Sequence, residues 1–138
     1  MKSLKPNEEF QPLVTVIVPV CNDVHRIKKC VQAIQSQNLD SNFYEVIVVD
    51  NSSTDGTFEV LSELSNIIVL NEPSPGSYAA RNRALSIAKG KYVAFTDSDC
   101  LPSKNWLDEM LNYYKVDPSI GLIAGAVDFF IEESSDVE

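Results

Sequence analysis

Two carboxylates, Asp97 and Asp99, follow directly on the apolar run Tyr92-Val93-Ala94-Phe95-Thr96. A buried strand that delivers a pair of acids to its carboxyl end could hold a cation. At an effective dielectric of about 20, two carboxylates roughly 6 Å apart repel by about 3 kcal/mol, so the pair weakens the fold unless a cation or hydrogen-bond donors surround it. Mg²⁺ and Mn²⁺ take oxygen ligands, keep several waters and are commonly completed by substrate phosphates. The pair therefore points to a phosphate-bearing ligand. Spacing alone is a weak signal, because 20 acids among 138 residues fall two apart about three times by chance; Asp136 and Glu138 make such a pair. A structural role, with Asp97 closing a turn and Asp99 capping the next helix, fits the same residues equally well.

The elements that must position these acids can be read from periodicity. Residues 14–18 are β-branched and apolar nearly throughout, as in a strand buried on both faces, and Pro19 should end it. Asn22 or Asp23 can cap a helix over 24–37, where Ile27, Val31 and Ile34 recur at helical spacing. A second buried strand, 44–49, stops at Asp50 and the small polar loop Asn51-Ser52-Ser53-Thr54-Asp55-Gly56-Thr57. A helix with Phe58, Leu61 and Leu64 on one face follows. Further expectations are a strand at 67–70, a small-residue helix at 77–88 terminated by Gly90, and a strand at 91–96. After the acidic pair, Ser103 can cap a helix that turns Trp106, Leu107, Met110, Leu111 and Tyr114 inward. Asp108 and Glu109 near its start suit the helix dipole. A fifth strand is expected at 120–127, with Asp128 at its end.

Strands alternating with helices imply right-handed crossovers and an α/β fold, a Rossmann-like, mostly parallel sheet with helices on both faces. In such sheets ligands lie at strand carboxyl ends, near the point where strand order reverses. The polar clusters after Pro19, at Asp50 to Thr57, and at Asp97 to Asp99 all fall at such ends. One domain is expected over 13–130, between a loose lead at 1–12 and an acidic tail at 131–138.

The formal charge of −9 argues against nucleic acid or an anionic membrane as partner. An anionic ligand would need a metal, an arginine or a helix amino end. Cys21, Cys30 and Cys100 are odd in number and have no zinc spacing, which disfavours a disulfide framework and favours a reducing, cytoplasmic setting. Cys21 and Cys30 read as small core residues. The longest apolar run, 13–20, is too short to cross a bilayer, and the first residues lack the core of a signal peptide. His25 has no partner set for a metal and reads as an exposed helix residue, and Trp106 as part of an apolar stripe.

Four ordered pieces resemble the nucleotide-diphospho-sugar glycosyltransferases of the GT-A fold, specifically glycosyltransferase family 2. They are Val16-Ile17-Val18-Pro19-Val20-Cys21-Asn22, Val48-Val49-Asp50-Asn51-Ser52-Ser53-Thr54-Asp55-Gly56-Thr57, Gly76-Ser77-Tyr78-Ala79-Ala80-Arg81-Asn82 and Phe95-Thr96-Asp97-Ser98-Asp99. The resemblance spans about residues 13–127. It implies inverting transfer of a sugar from a nucleotide diphosphate, helped by Mn²⁺ or Mg²⁺. Residue by residue, it implies that Pro19 and Asn22 line the nucleotide pocket and that Asp50 accepts from an N–H of a uracil-type base. Arg81 would stand beside the base or phosphates. Asp97 would meet the ribose or metal-bound water, and Asp99 would bind the metal directly. Asp55 could equally be a helix cap, and is left outside the set.

The partner so implied is a nucleotide-diphospho-sugar, a UDP-sugar ahead of a GDP-sugar, together with a saccharide, lipid or protein acceptor that the sequence does not specify. The family's catalytic base is an aspartate well downstream of the acidic signature, so here it is expected beyond Glu138. That leaves a second reading, a nucleotide-binding module without transfer. A dinucleotide-dependent oxidoreductase fails for want of GxGxxG at the first turn, a receiver-type signalling domain wants paired acids after strand one, and a P-loop is absent.

Overall fold

The computed structural model describes residues 10–129, in which four parallel strands form one sheet. The strands are β1 (Val14–Val20), β2 (Tyr44–Asp50), β3 (Ile68–Asn71) and β4 (Tyr92–Phe95), in the spatial order β3-β2-β1-β4. Between and after them lie α1 (Ile27–Gln35), α2 (Thr57–Ser62), α3 (Ser77–Leu85) and α4 (Trp106–Val116). Strand alternation sorts the core into two layers. Val14, Val16, Val18, Val46 and Val48 face α1, α2 and α4, and meet Ile27, Val31, Ile34, Leu61, Leu107 and Leu111. Ile17, Ile47 and Val49 face the other way, onto Ala80 and Ala84 of α3. The small residues of α3 allow a close approach to the sheet, and the expected α/β architecture with both faces covered is what forms.

The chain adds β2 and then β3 on one side of β1 before crossing to place β4 on the other. Strand order therefore reverses between β1 and β4. Their ladder ends at Ile17 opposite Phe95, whereas β1 continues beside β2 as far as Val20 opposite Asp50. Pro19 does not end β1 as its residue type suggests, because Pro19 and Ile17 point to the same side, where β4 has already departed. No ladder bond is lost by its missing N–H. The gap left there is the mouth of a crevice.

Several elements differ from expectation. α1 starts three residues late, after a turn in which the Asp23 carbonyl accepts from the Arg26 and Ile27 amides. In α2, Leu61 is buried but Phe58 is exposed, since a six-residue helix covers the sheet with only one turn. Gly90 does not cap α3; a Cβ there would lie 2.4 Å from the Thr15 nitrogen, so glycine is needed for the chain to pass β1. The cap of α4 is not Ser103 but buried Gln37, whose Oε1 accepts from the Leu107 amide at 3.1 Å. Residues 120–127 form no strand, and Leu122, Val127 and Asp128 are exposed. The first nine residues of the expected lead, and the acidic tail at 131–138, lie outside the described residues.

Candidate functional site

A crevice of about 380 Å³ opens at the carboxyl ends of β1 and β4, where the strand order reverses. Pro19, Val20 and Cys21 form the β1 wall, Asn51 and Ser77 one rim, and Asp97, Ser98 and Asp99 the opposite wall. Asp23, Arg26 and Arg81 complete it. Three acids against two arginines leave the lining net negative, so a diphosphate would be repelled there unless a cation joined it.

The acidic loop is tightly held. The Asp97 carbonyl accepts from the Cys100 amide at 3.1 Å and from the Cys30 Sγ at 3.4 Å. Burial, with smaller contributions from Cys100 and the nearby Asp99, Asp23 and Asp97, pushes the Cys30 thiol up to about 12. It therefore stays protonated and can donate. The Asp97 carboxylate accepts from Arg81 Nη2 at 2.8 Å, while Arg81 Nη1 donates to Ser77 Oγ at 3.0 Å, one turn earlier on α3. Asp97 and Asp99 are both exposed, and Asp99 takes only a long contact from Cys100 Sγ, 3.6 Å.

Asp50 sits apart from the lining, 1% exposed at the end of β2. Its Oδ2 accepts from the Ser53 amide at 3.2 Å and from Asn71 Nδ2 at 3.4 Å. Its Oδ1 is buried with no partner. A buried acceptor left unsatisfied costs about 1–3 kcal/mol, more when charged, and native interiors hold few of them.

Of the residues singled out from sequence, Pro19, Arg81, Asp97 and Asp99 converge on the crevice. Asn22 does not line it. With φ at 50°, Asn22 turns its Oδ1 to the Thr54 amide at 2.7 Å and gives its own amide to Ser53 Oγ at 2.8 Å, tying the β1 turn to the β2 loop. Asp55 is a cap: its Oδ1 accepts from the Thr57 amide and hydroxyl, and its Oδ2 from the Val24 amide. The Thr57 hydroxyl is the main cause holding the Asp55 carboxyl below its usual range. Cys21 is exposed in the crevice rather than in the core, because the strand ends one residue before it; Cys30 is buried as expected. His25 is exposed and Trp106 packs against the core. Asp23 and Arg26 were not marked for the site. An acid just past a strand end, followed three residues later by an arginine, was the available signal.

Among the described residues no three His, Cys, Asp or Glu side chains are grouped to enclose a metal. Nor is any helix there long and apolar enough to cross a membrane.

Comparison with known proteins agrees with this geometry. The family model for Glycosyl transferase family 2 matches residues 15–137. Glycosyltransferase AglE of Haloferax volcanii is 38% identical over 123 residues, 86% of this chain and 40% of the relative. The putative teichuronic acid biosynthesis glycosyltransferase TuaG of Bacillus subtilis is 38% identical over 109 residues, 75% of this chain and 42% of its own length. The chain thus spans about two fifths of these curated relatives. Among solved structures, the mannosyltransferase PcManGT of Pyrobaculum calidifontis, in complex with GDP-Man and Mn²⁺, superposes with a TM-score of 0.71 at 32% identity, over 81% of this chain and 34% of that one. TarS of S. aureus in complex with UDP-GlcNAc gives 0.67 at 30% identity, over 75% and 31%.

Proposed function

The chain belongs to glycosyltransferase family 2, and from that premise we propose that it binds a nucleotide-diphospho-sugar donor in the crevice between β1 and β4, with a divalent cation, for transfer to an acceptor. The observation that carries this reading is the convergence of Asp97, Asp99 and Arg81 at the reversal of strand order, on a lining with more acid than base. Two exposed carboxylates, with no third His, Cys, Asp or Glu grouped to enclose a metal among the described residues, fit Mn²⁺ or Mg²⁺, hard cations that keep waters and take the rest of their shell from phosphates. Asp99 would hold the cation directly, and Asp97 would do so in part or through water. When bound, the cation would offset the charge that grows on the leaving diphosphate.

The chain's own groups divide the remaining work. Arg81 supplies a fixed positive charge near the phosphates and, by holding Asp97, keeps that carboxylate turned to the crevice. Pro19 and its neighbours form an apolar wall against which a sugar nucleotide can lie. Asp50 Oδ1 is unpartnered but buried outside the crevice lining, so the loop after β2 would have to open for a base to reach it. Its one free oxygen would then match the single imide N–H of uracil. Guanine presents both N1–H and an amino group, and would ask as well for the oxygen that already serves Ser53 and Asn71. A UDP-sugar is therefore favoured over a GDP-sugar. The three free cysteines suit a reducing compartment such as the cytoplasm.

Acceptor activation needs a base within hydrogen-bond reach of the acceptor hydroxyl. Among the crevice acids, Asp23 and Asp97 are each held by an arginine, and Asp99 is the proposed cation ligand. None is left to take a proton. We therefore assign Asp97 and Asp99 donor binding, and expect the base to come from elsewhere in the functional enzyme. A nucleotide panel tests the reading: in Mn²⁺, calorimetry should give the tightest binding for UDP, weaker for GDP and none for ADP. Equal affinity for all three would contradict it.

A further inference from the structure

Asp23 is the one acid of the crevice that donor binding leaves without a role, and it is 93% buried by its 7% exposure. Its backbone is fixed by two helices before its side chain acts. The Asp23 carbonyl accepts from the amides that begin α1, and its amide donates to the Thr57 hydroxyl at the start of α2 at 3.0 Å. From this anchor the carboxylate reaches across to the β4 loop. Oδ2 accepts from Ser98 Oγ at 2.6 Å, and Oδ1 from Arg26 Nε, also at 2.6 Å.

Ser98 is the residue between the two exposed carboxylates. Gripped at Ser98 by Asp23, and at the Asp97 carbonyl by Cys30, the loop has two anchors on the α1 side of the crevice. Without them, mutual repulsion would favour splaying the Asp97 and Asp99 side chains apart. Burying a carboxylate is a poor way to stabilise a fold, since a well-packed apolar side chain often does as well or better. Its retention beside a cation-binding loop has a physical reason if geometry is what it supplies.

We infer that Asp23 is a positioning residue, which through Ser98 sets the separation and direction of the Asp97 and Asp99 carboxylates, and through its other oxygen holds Arg26 at the crevice wall. This inference rests on the proposed cation site. Small cations such as Mg²⁺ demand near-octahedral ligand placement, so the groups that orient the ligands are felt in affinity, typically about tenfold or more when removed.

The test is a Mn²⁺ titration followed by electron paramagnetic resonance of the free ion, in saturating UDP, on the wild type and on Ser98→Ala, Ser98→Thr and Asp23→Asn. Read well below Tm, Ser98→Ala should weaken Mn²⁺ about tenfold and, by taking the donor from the buried Asp23 Oδ2, lower Tm by several degrees; Ser98→Thr, which keeps the hydroxyl, should restore both. Asp23→Asn, which sets an amide donor against Arg26 or Ser98, should lose at least as much. Ser98→Ala binding Mn²⁺ like the wild type, at a temperature where both are fully folded, would overturn the inference, as would a loss of Mn²⁺ affinity that Ser98→Thr fails to restore. Failure of the wild type itself to retain Mn²⁺ with UDP would instead remove the cation reading on which it stands.

Discussion

Replacing Asp50 by asparagine should move stability and binding in opposite directions. In the free protein the Asp50 Oδ1 is buried without a donor, while Oδ2 holds the Ser53 amide at 3.2 Å and, less well, Asn71 Nδ2 at 3.4 Å. Leaving a buried acceptor unsatisfied costs about 1–3 kcal/mol, and a charged one more. Asparagine keeps an oxygen for the Ser53 amide and puts a neutral NH2 in place of the unpartnered Oδ1, which costs less to leave unpaired than a buried charge. The free protein should therefore gain about 1 kcal/mol, a rise of about 3 °C in Tm for a domain of this size. The nucleotide complex should lose the bond from the base N–H to a charged acceptor, worth about 1.5–3 kcal/mol, or roughly ten- to a hundredfold in the Kd for UDP. Differential scanning fluorimetry and calorimetry on Asp50→Asn read the two effects. UDP affinity equal to wild type would refute the assignment of Asp50 to the base, and a fall in Tm would show that the carboxylate serves the fold instead.

Asp99→Asn should abolish the effect of Mn²⁺ on UDP binding, and Asp97→Asn should weaken it less; calorimetry giving the larger loss for Asp97→Asn would reverse their roles. Neither variant should unfold the protein, since the exposed Asp97–Arg81 pair is worth at most about 1 kcal/mol and removing one of two repelling acids relieves the other. Asp55 has its pKa lowered in the folded state, mainly by the Thr57 hydroxyl, so its cap stabilises fully above the unfolded carboxylate pKa of about 3.9 and fades as pH falls through the lower folded value. The Tm advantage of wild type over Asp55→Ala should accordingly be constant at pH 5 to 7 and shrink below about pH 4; an advantage unchanged at the lowest pH would exclude this linkage. Incubated with UDP- and GDP-sugars, Mn²⁺ and a mixed acceptor panel, the 138-residue chain should yield glycosylated product at background rate by mass spectrometry. Metal-dependent product lost on Asp128→Asn would place the base within it.

The sheet was legible because each strand carries its own signal. Val14 to Val18 and Val46 to Val49 are apolar on both faces, which only a sheet covered on both sides requires, and both proved buried throughout. The convergence of Asp97, Asp99 and Arg81 was legible for a related reason: strand carboxyl ends share one edge of a parallel sheet, so acids and an arginine placed there meet. What composition does not determine is pairing. Ile120 to Val127 has the apolar content of a strand, yet among the described residues no neighbouring edge takes it up, and Leu122 and Val127 stay exposed. Long-range side-chain bonds were equally hidden. Gln37 caps α4 from 70 positions away, and Asp23 meets Ser98 across 75. The extension of β1 through Pro19 to Val20, which residue types do not reveal, moves the turn, leaves Cys21 exposed rather than in the core, and turns Asn22 to the β2 loop.

The central claim is that a cation at Asp97 and Asp99 makes an acidic crevice receptive to a nucleotide diphosphate. Calorimetric titration of UDP into the purified protein, first with Mn²⁺ and then after EDTA, tests it most directly. Binding in Mn²⁺ that vanishes with EDTA is the expected result. The same affinity in both conditions would contradict the claim.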